Sequence, residues 1–144
     1  MRIVVQRVSE ASCTVEGKVT GKIENGFMLL VGFNKNDTRE IARKYAEKVS
    51  KLRIFSDENG KMNKSIFETG GKILSISQFT LYGDAWKSNR PGFTEAMNGQ
   101  EATQLYDYFN EVLRELGLTV ETGIFGADMK ISLVNDGPVT IILQ

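Results

Sequence analysis

The sequence predicts an α+β fold: a single domain over residues 1–144 in which a largely antiparallel, barrel-like sheet wraps around two main helices. Two stretches, one opening at Asp37 and one at Asn98, carry apolar residues at helical spacing. Most of the remainder consists of short runs rich in valine, isoleucine and leucine, separated by glycine, asparagine and aspartate. The order is strands, helix, strands, helix, strands, with no linker, repeat or low-complexity segment between them. A chain of 144 residues is long enough to bury a core without staples.

Residues 1–33 read as strands. Arg2 to Val8 is rich in valine and isoleucine, Ala11 to Val15 alternates, and Phe27 to Val31 is a continuous apolar run. Glu16-Gly17 and Glu24-Asn25-Gly26 are turn signals. Arg7 is the oddity, a charge inside the first strand. It is either a surface arginine or a partly buried guanidinium whose planar fork of donors clamps backbone carbonyls. Asp37 is expected to cap the first helix, with Glu40 completing a box, and Ile41, Ala42, Tyr45, Ala46 and Val49 form its core face. Leu52 to Phe55 returns as a strand, and Glu58-Asn59-Gly60 turns the chain.

Lys61 to Lys72 is irregular, and Lys72 to Ile76 is another strand. Read locally, Ser77-Gln78-Phe79-Thr80-Leu81 continues that strand, with Phe79 and Leu81 on one face. Gly83 to Phe93 is a loop whose Trp86, Lys87 and Arg90 suit contact with RNA. The second helix is capped by Asn98, has Glu101 at its third position, and buries Leu105, Phe109, Val112, Leu113 and Leu116. Gly117 ends it as a C′ glycine. Strands are expected at about 118–124 and 129–134, with a last one from Val139 to Leu143.

Composition excludes several chemistries. There is no histidine, which removes Ser-His-Asp and Cys-His catalysis and any histidine-bearing zinc site. The one cysteine, Cys13, has no internal disulfide partner and reads as a small strand residue. No metal and no cofactor are expected. No apolar run approaches the length of a membrane span, no signal peptide is visible before Arg2-Ile3-Val4-Val5, and a cytoplasmic location is expected. Net charge is zero, but it is unevenly spread: 11 basic and 8 acidic side chains in residues 1–60, 5 and 3 in 61–100, 2 and 7 in 101–144. Only a local basic face could meet a phosphate backbone.

Near the end stands Asn135-Asp136-Gly137-Pro138-Val139-Thr140, between two apolar runs. Asp-Gly in that setting is a hairpin signal, but the proline offers no N–H and fixes its own φ. The local reading is a rigid turn with a trans proline, because few X-Pro bonds are cis.

Taken together, these stretches closely resemble the D-aminoacyl-tRNA deacylases. The resemblance rests on Gln6-Arg7-Val8, Arg53-Ile54-Phe55-Ser56-Asp57, Gly60-Lys61-Met62-Asn63, Ser77-Gln78-Phe79-Thr80-Leu81 and Arg90-Pro91-Gly92-Phe93. Tyr106-Asp107-Tyr108-Phe109 and Ser132 to Thr140 complete the set, so the motifs cover the chain from end to end. One departure is Gly92, where the family more often has serine.

The resemblance implies a homodimeric hydrolase acting on the aminoacylated 3′ end of tRNA, cleaving the ester of a D-amino acid or of glycine. It implies a cis Gly137-Pro138 bond inserted into the partner subunit's site, where it rejects L side chains by exclusion. Ser77, Gln78, Phe79 and Thr80 are the implied catalytic wall, Arg7 the brace of the Gly-Pro unit, and Phe125 and Met129 the walls of an adenine pocket. An ester activated by the ribose 2′-hydroxyl needs only positioning and oxyanion stabilisation, which a protein without histidine can supply. Thr80 has no evident base nearby in sequence, which favours a structural or hydrogen-bonding role over a nucleophilic one. Two rivals stand beside this reading. One is a nucleic-acid-binding module working through the basic loop at 87–90, and the other an amidase or peptidase using Thr80 or Ser77.

Overall fold

Strand β1 runs unbroken from Arg2 to Val15 and is the spine of the sheet. In the computed structural model, which describes residues 1–144, both of its edges are paired. Strands β2 (Lys18–Ile23) and β3 (Gly26–Gly32) follow one edge antiparallel, from Val15↔Lys18 to Arg2↔Gly32. The last strand, β8 (Lys130–Leu143), follows the other edge antiparallel, from Ile3↔Leu143 to Thr14↔Lys130.

Beyond β3 the sheet becomes parallel. Strand β6 (Lys72–Ser77) lies beside β3, and β7 (Val120–Thr122) lies beside β6. Parallel neighbours need a long crossover, and each crossover here contains a helix. Helix α1 (Arg39–Lys51), with the small β4 (Phe55–Ser56) and β5 (Met62–Lys64) hairpin, connects β3 to β6. Helix α2 (Gly99–Glu115) connects β6 to β7. The main sheet is therefore mixed, antiparallel around β1 and parallel under the helices. It also curls almost shut: a Cβ on Gly21 of β2 would stand 2.8 Å from the Thr122 carbonyl oxygen of β7.

One core fills the space between sheet and helices. Ile3, Val5, Phe27, Leu29 and Ile73 meet Ala42, Ala46 and Val49 of α1 and Phe109, Val112 and Leu113 of α2. A smaller cluster, with Val8, Cys13, Met28, Leu74 and Ile76, fills the other face of the curled sheet. No helix is long and apolar enough to cross a membrane.

Local signals locate both helices within a residue or two. Asn98 caps α2, its side-chain oxygen accepting from the Glu101 N–H at 3.0 Å, and Gly117 follows the last turn at φ +102°. At α1 the cap is Thr38, not Asp37. Its hydroxyl accepts from the Ile41 N–H, while the Asp37 carboxylate pairs with the Met1 ammonium at 2.6 Å and accepts from the Asn34 N–H. A carboxylate offered a cation and a loop N–H one residue before the helix is held out of the capping position.

Three further expectations change. The strand expected at Leu52–Phe55 is only Phe55–Ser56, because Leu52 serves as the C-cap of α1. Strand β6 stops at Ser77, and Phe79–Tyr82 form a 3-10 turn, so Phe79 and Leu81 do not continue a strand face. Residues 129–134 and 139–143 do not flank a turn. They belong to one strand, because β1 offers a continuous edge that holds the chain on both sides of Gly137-Pro138.

The packing sets a stability scale. Phe109→Ala should cost about 3–5 kcal/mol by emptying the middle of the core, whereas Asn98→Ala should cost about 1 kcal/mol through loss of the cap. Urea denaturation of the two variants checks both values and their order.

Candidate active site

The carboxyl end of β6 opens into a pocket of about 220 Å³. The last parallel pair is Val31↔Ser77, and the Gln78 N–H still donates to the Val31 carbonyl at 2.8 Å before the 3-10 turn leads the chain away. The connection between β7 and β8 passes opposite that turn. Ser77, Gln78 and Phe79 form one side of the pocket, and Phe125 and Met129 the other, over a floor of Ile76 and Ile131. Six of its nine lining residues are hydrophobic, and Ser77 and Gln78 add hydrogen-bonding groups, a fitting lining for a flat heterocycle with a hydrogen-bonding rim.

Thr80 does not line the pocket. It lies one turn residue further on and accepts a hydrogen bond from the Gln78 amide. At the start of the 3-10 turn the Phe79 and Thr80 N–H groups have no acceptor within the turn itself, as holds for the first residues of any helical turn. They form a pair of donors beside Ser77. No group of three or more Cys, Asp or Glu side chains is placed to hold a metal ion.

A contact absent from the sequence reading supports the far wall. The Tyr106 hydroxyl, projecting from α2, donates to the Ser75 carbonyl of β6 at 2.6 Å, and its ring packs against Phe125 with centroids 5.9 Å apart. Tyr106 therefore ties the strand that ends in Ser77 to the aromatic wall facing it. The only sequence trace of this role is a tyrosine on the apolar face of α2, where a buried phenol needs an acceptor.

Gly137 and Pro138 lie outside this pocket, on the exposed part of β8. Gln6 pairs with Thr140 and Val8 with Asn135, so Asp136, Gly137, Pro138 and Val139 all stand opposite Arg7 alone. The Gly137-Pro138 peptide bond is cis and Gly137 has φ +122°. A Cβ on Gly137 would come within 2.9 Å of Val139 Cγ2 and 3.0 Å of Arg7 Nη2. Glycine is required there by both conformation and space.

Arg7 fills the gap that the kink opens. Only 8% exposed, it donates from Nε to the Asp136 carbonyl at 3.1 Å and from Nη1 to the Ile54 carbonyl at 2.7 Å. The Asp136 carboxylate stands 3.6 Å from Nε. The guanidinium is the buried clamp of the two alternatives, and it joins three motifs distant in sequence. Ile54 lies within the Arg53 to Asp57 motif, but nothing in the sequence marks its carbonyl as the acceptor.

The basic side chains are less free than their count suggests. Lys87 pairs with Asp84 at 3.6 Å and Lys64 with Glu58 at 3.1 Å, while Arg90 makes no ion pair. Tyr82, beyond the 3-10 turn's start, is pushed up to about 12, chiefly by burial and next by the Asp37 carboxylate, with Arg2 opposing. Burial also raises the Tyr106 phenol.

These shifts have a definite sign. Both folded-state values are raised, so the stability the two phenols contribute is fully present below the ordinary tyrosine pKa, about 10. It is lost as pH rises through the folded values. A phenolate absorbance titration should show Tyr82 ionising near pH 12, and Tyr82→Phe and Tyr106→Phe should each remove one late-titrating group.

The chain is similar over its whole length to known proteins. Residues 4–144 match the family described as D-Tyr-tRNA(Tyr) deacylase. The D-aminoacyl-tRNA deacylase of Bacillus cytotoxicus is 57% identical over 144 residues, covering 100% of this chain and 99% of the relative. That of Exiguobacterium sibiricum is 56% identical with the same coverage. Among solved structures, the c-Myc DNA Unwinding Element Binding Protein superposes with a TM-score of 0.94 at 40% identity, covering 100% of this chain and 98% of the other. A structure titled as a "probable eukaryotic D-amino acid tRNA deacylase" superposes with a TM-score of 0.86 over 99% of this chain and 97% of its own; at 18% identity it speaks for the fold alone. With a full-length family match and relatives more than half identical from end to end, the chain belongs to the D-Tyr-tRNA(Tyr) deacylase family.

Proposed function

We propose that this protein is a hydrolase that cleaves the ester joining a D-amino acid, or glycine, to the 3′-terminal adenosine of tRNA, in the cytoplasm. The observation that carries the full reading is the separation of two parts. A pocket sized for a nucleoside end stands at Ser77-Gln78-Phe79, and a braced Gly137-Pro138 unit projects where it cannot line that pocket. A second copy of the chain brings the two together, which makes the working form a homodimer with each site completed by its partner.

In this reading the adenine sits between Phe125 and Met129 and the ester faces Ser77 and Gln78. The Phe79 and Thr80 N–H groups, at the start of the 3-10 turn, are donors for the oxygen that gains charge as the ester is attacked. The partner's Gly-Pro backbone faces the α-carbon of the aminoacyl group. An L side chain would run into that backbone, a D side chain points away, and glycine has none. Discrimination comes from exclusion. The proton transfers fall to the neighbouring 2′-hydroxyl of the substrate, because the chain has no histidine and Thr80 is engaged by Gln78.

The direct test is to deacylate one tRNA charged with the D or the L form of the same amino acid. Rapid release of the D form and sparing of the L form is expected. Tight binding of tRNA or DNA without turnover would instead favour a nucleic-acid-binding module, a reading raised by the name of the 40% identical solved structure.

Three changes divide the mechanism. Gly137→Ala should lower kcat/KM by about 10²-fold through misplacement of the backbone. Thr80→Ala should stay within about tenfold, the worth of one hydrogen bond. Removing the terminal 2′-hydroxyl of the substrate should cost about 10²–10⁴-fold, as loss of a general acid–base does. An acyl-enzyme trapped on Thr80 would reverse the assignment.

The shared site is checked by complementation. A pocket-filling Ile131→Trp variant and a Gly137→Ala variant, each impaired alone, should regain activity when mixed and refolded together. Only the mixed dimer pairs an open pocket with an intact Gly-Pro unit. No recovery would mean that each site is built from one chain.

A further inference from the structure

Trp86 is the most exposed large apolar side chain of the molecule, at 98% of its surface. A loop rich in Gly, Asp, Ser, Asn and Pro leads the eye to expect a loose tip, yet this one is fastened. Its base is closed by two backbone hydrogen bonds, Asp84 N–H to Gly92 O at 2.8 Å and Gly92 N–H to Asp84 O at 2.9 Å. The Asp84 carboxylate accepts from the Trp86 N–H at 2.9 Å, and the Ser88 hydroxyl from the Arg90 N–H at 3.2 Å. The indole is thus presented to solvent by an ordered loop.

The loop also adjoins the pocket. Phe93, at its base, packs edge-on against Phe79 with centroids 5.1 Å apart, and Phe79 is a pocket wall with 54% of its own surface exposed. Trp86 lies two residues beyond the Asp84–Gly92 pair, within about 7 Å of backbone reach. It is therefore outside the pocket, in a loop whose base touches a pocket wall through Phe93 and Phe79. Lys87, with a side chain 90% exposed and a single ion pair to Asp84, and Arg90, without an ion-pair partner, follow Trp86 in the same loop.

We propose that Trp86 is a stacking platform for an unpaired nucleobase of the single-stranded tRNA end, upstream of the terminal adenosine, with Lys87 and Arg90 meeting the adjoining phosphates. The proposal rests on the tRNA reading above. An aromatic ring with cations in the same loop fits a stacked base between phosphates. An apolar protein partner would take both cations out of water and leave Arg90 unpaired, since only Lys87 has an ion-pair partner, Asp84. Every base has a π-face, so the contact carries no sequence preference and serves all tRNAs alike.

Trp86 is the only tryptophan of the chain, so intrinsic fluorescence reports on this ring alone. Titration of the whole protein with an RNA hairpin ending in single-stranded CCA should quench it saturably. A blunt hairpin of the same stem should not. Trp86→Ala should raise KM for D-aminoacyl-tRNA roughly 5- to 100-fold, the range of one lost base stack, with kcat unchanged, and Trp86→Phe should restore most of it. Hydrolysis of D-aminoacyl-adenosine, too short to reach the loop, should be unaffected by either variant. An unchanged KM in Trp86→Ala overturns the proposal. So does fluorescence that shifts with protein concentration and not with RNA, which would place the indole between copies of the chain. Failure of the wild-type protein to hydrolyse D-aminoacyl-adenosine would count against the deacylase reading instead.

Discussion

The buried guanidinium of Arg7 is the constraint around which this structure is arranged. A charge taken almost wholly out of water is tolerable only when its donors are matched. Here the match comes from the Asp136 carbonyl, the Ile54 carbonyl and the Asp136 carboxylate. That requirement ties β1 to β8 and to the chain just before β4. It also occupies the space under the four β8 residues that have no partner on β1. The exposed Gly-Pro unit is held by a buried ion set beneath it, and its rigidity is a property of the sheet.

The two helices act on the other half of the site. As crossovers they permit the parallel pairs β3–β6 and β6–β7, and these bring the carboxyl end of β6 beside the segment leading into β8. Apolar groups from both form the pocket, and Tyr106 links its two sides through Ser75 and Phe125. The polar equipment is spare: one hydroxyl, one amide and the two N–H groups that open the 3-10 turn. A site so equipped works by position and exclusion, which suits a substrate carrying its own hydroxyl next to the bond to be broken.

Much of this was legible in the sequence, and the division follows the range of the forces involved. The limits of α2 rest on Asn98 and Gly117, whose hydrogen bonds reach only a few residues along the chain. The β1–β3 meander follows from valine- and isoleucine-rich runs and the turns between them, and the absence of histidine closes off whole reaction classes from composition alone. Ser77, Gln78, Phe79, Phe125 and Met129 were named from motif resemblance, and the fold places all five around one pocket. Features decided by distant partners could not be read locally. Asp37 looks like a helix cap until the Met1 ammonium takes its carboxylate. Ser77 to Leu81 looks like a strand until β6 reaches the end of the edge that β3 offers. Asp136-Gly137-Pro138 reads locally as a rigid turn with a trans proline, because few X-Pro bonds are cis. Only β1, pairing on both sides of the motif across some 130 residues of chain, turns it into a kink within one strand, and only Arg7, seated opposite, fills the space beneath.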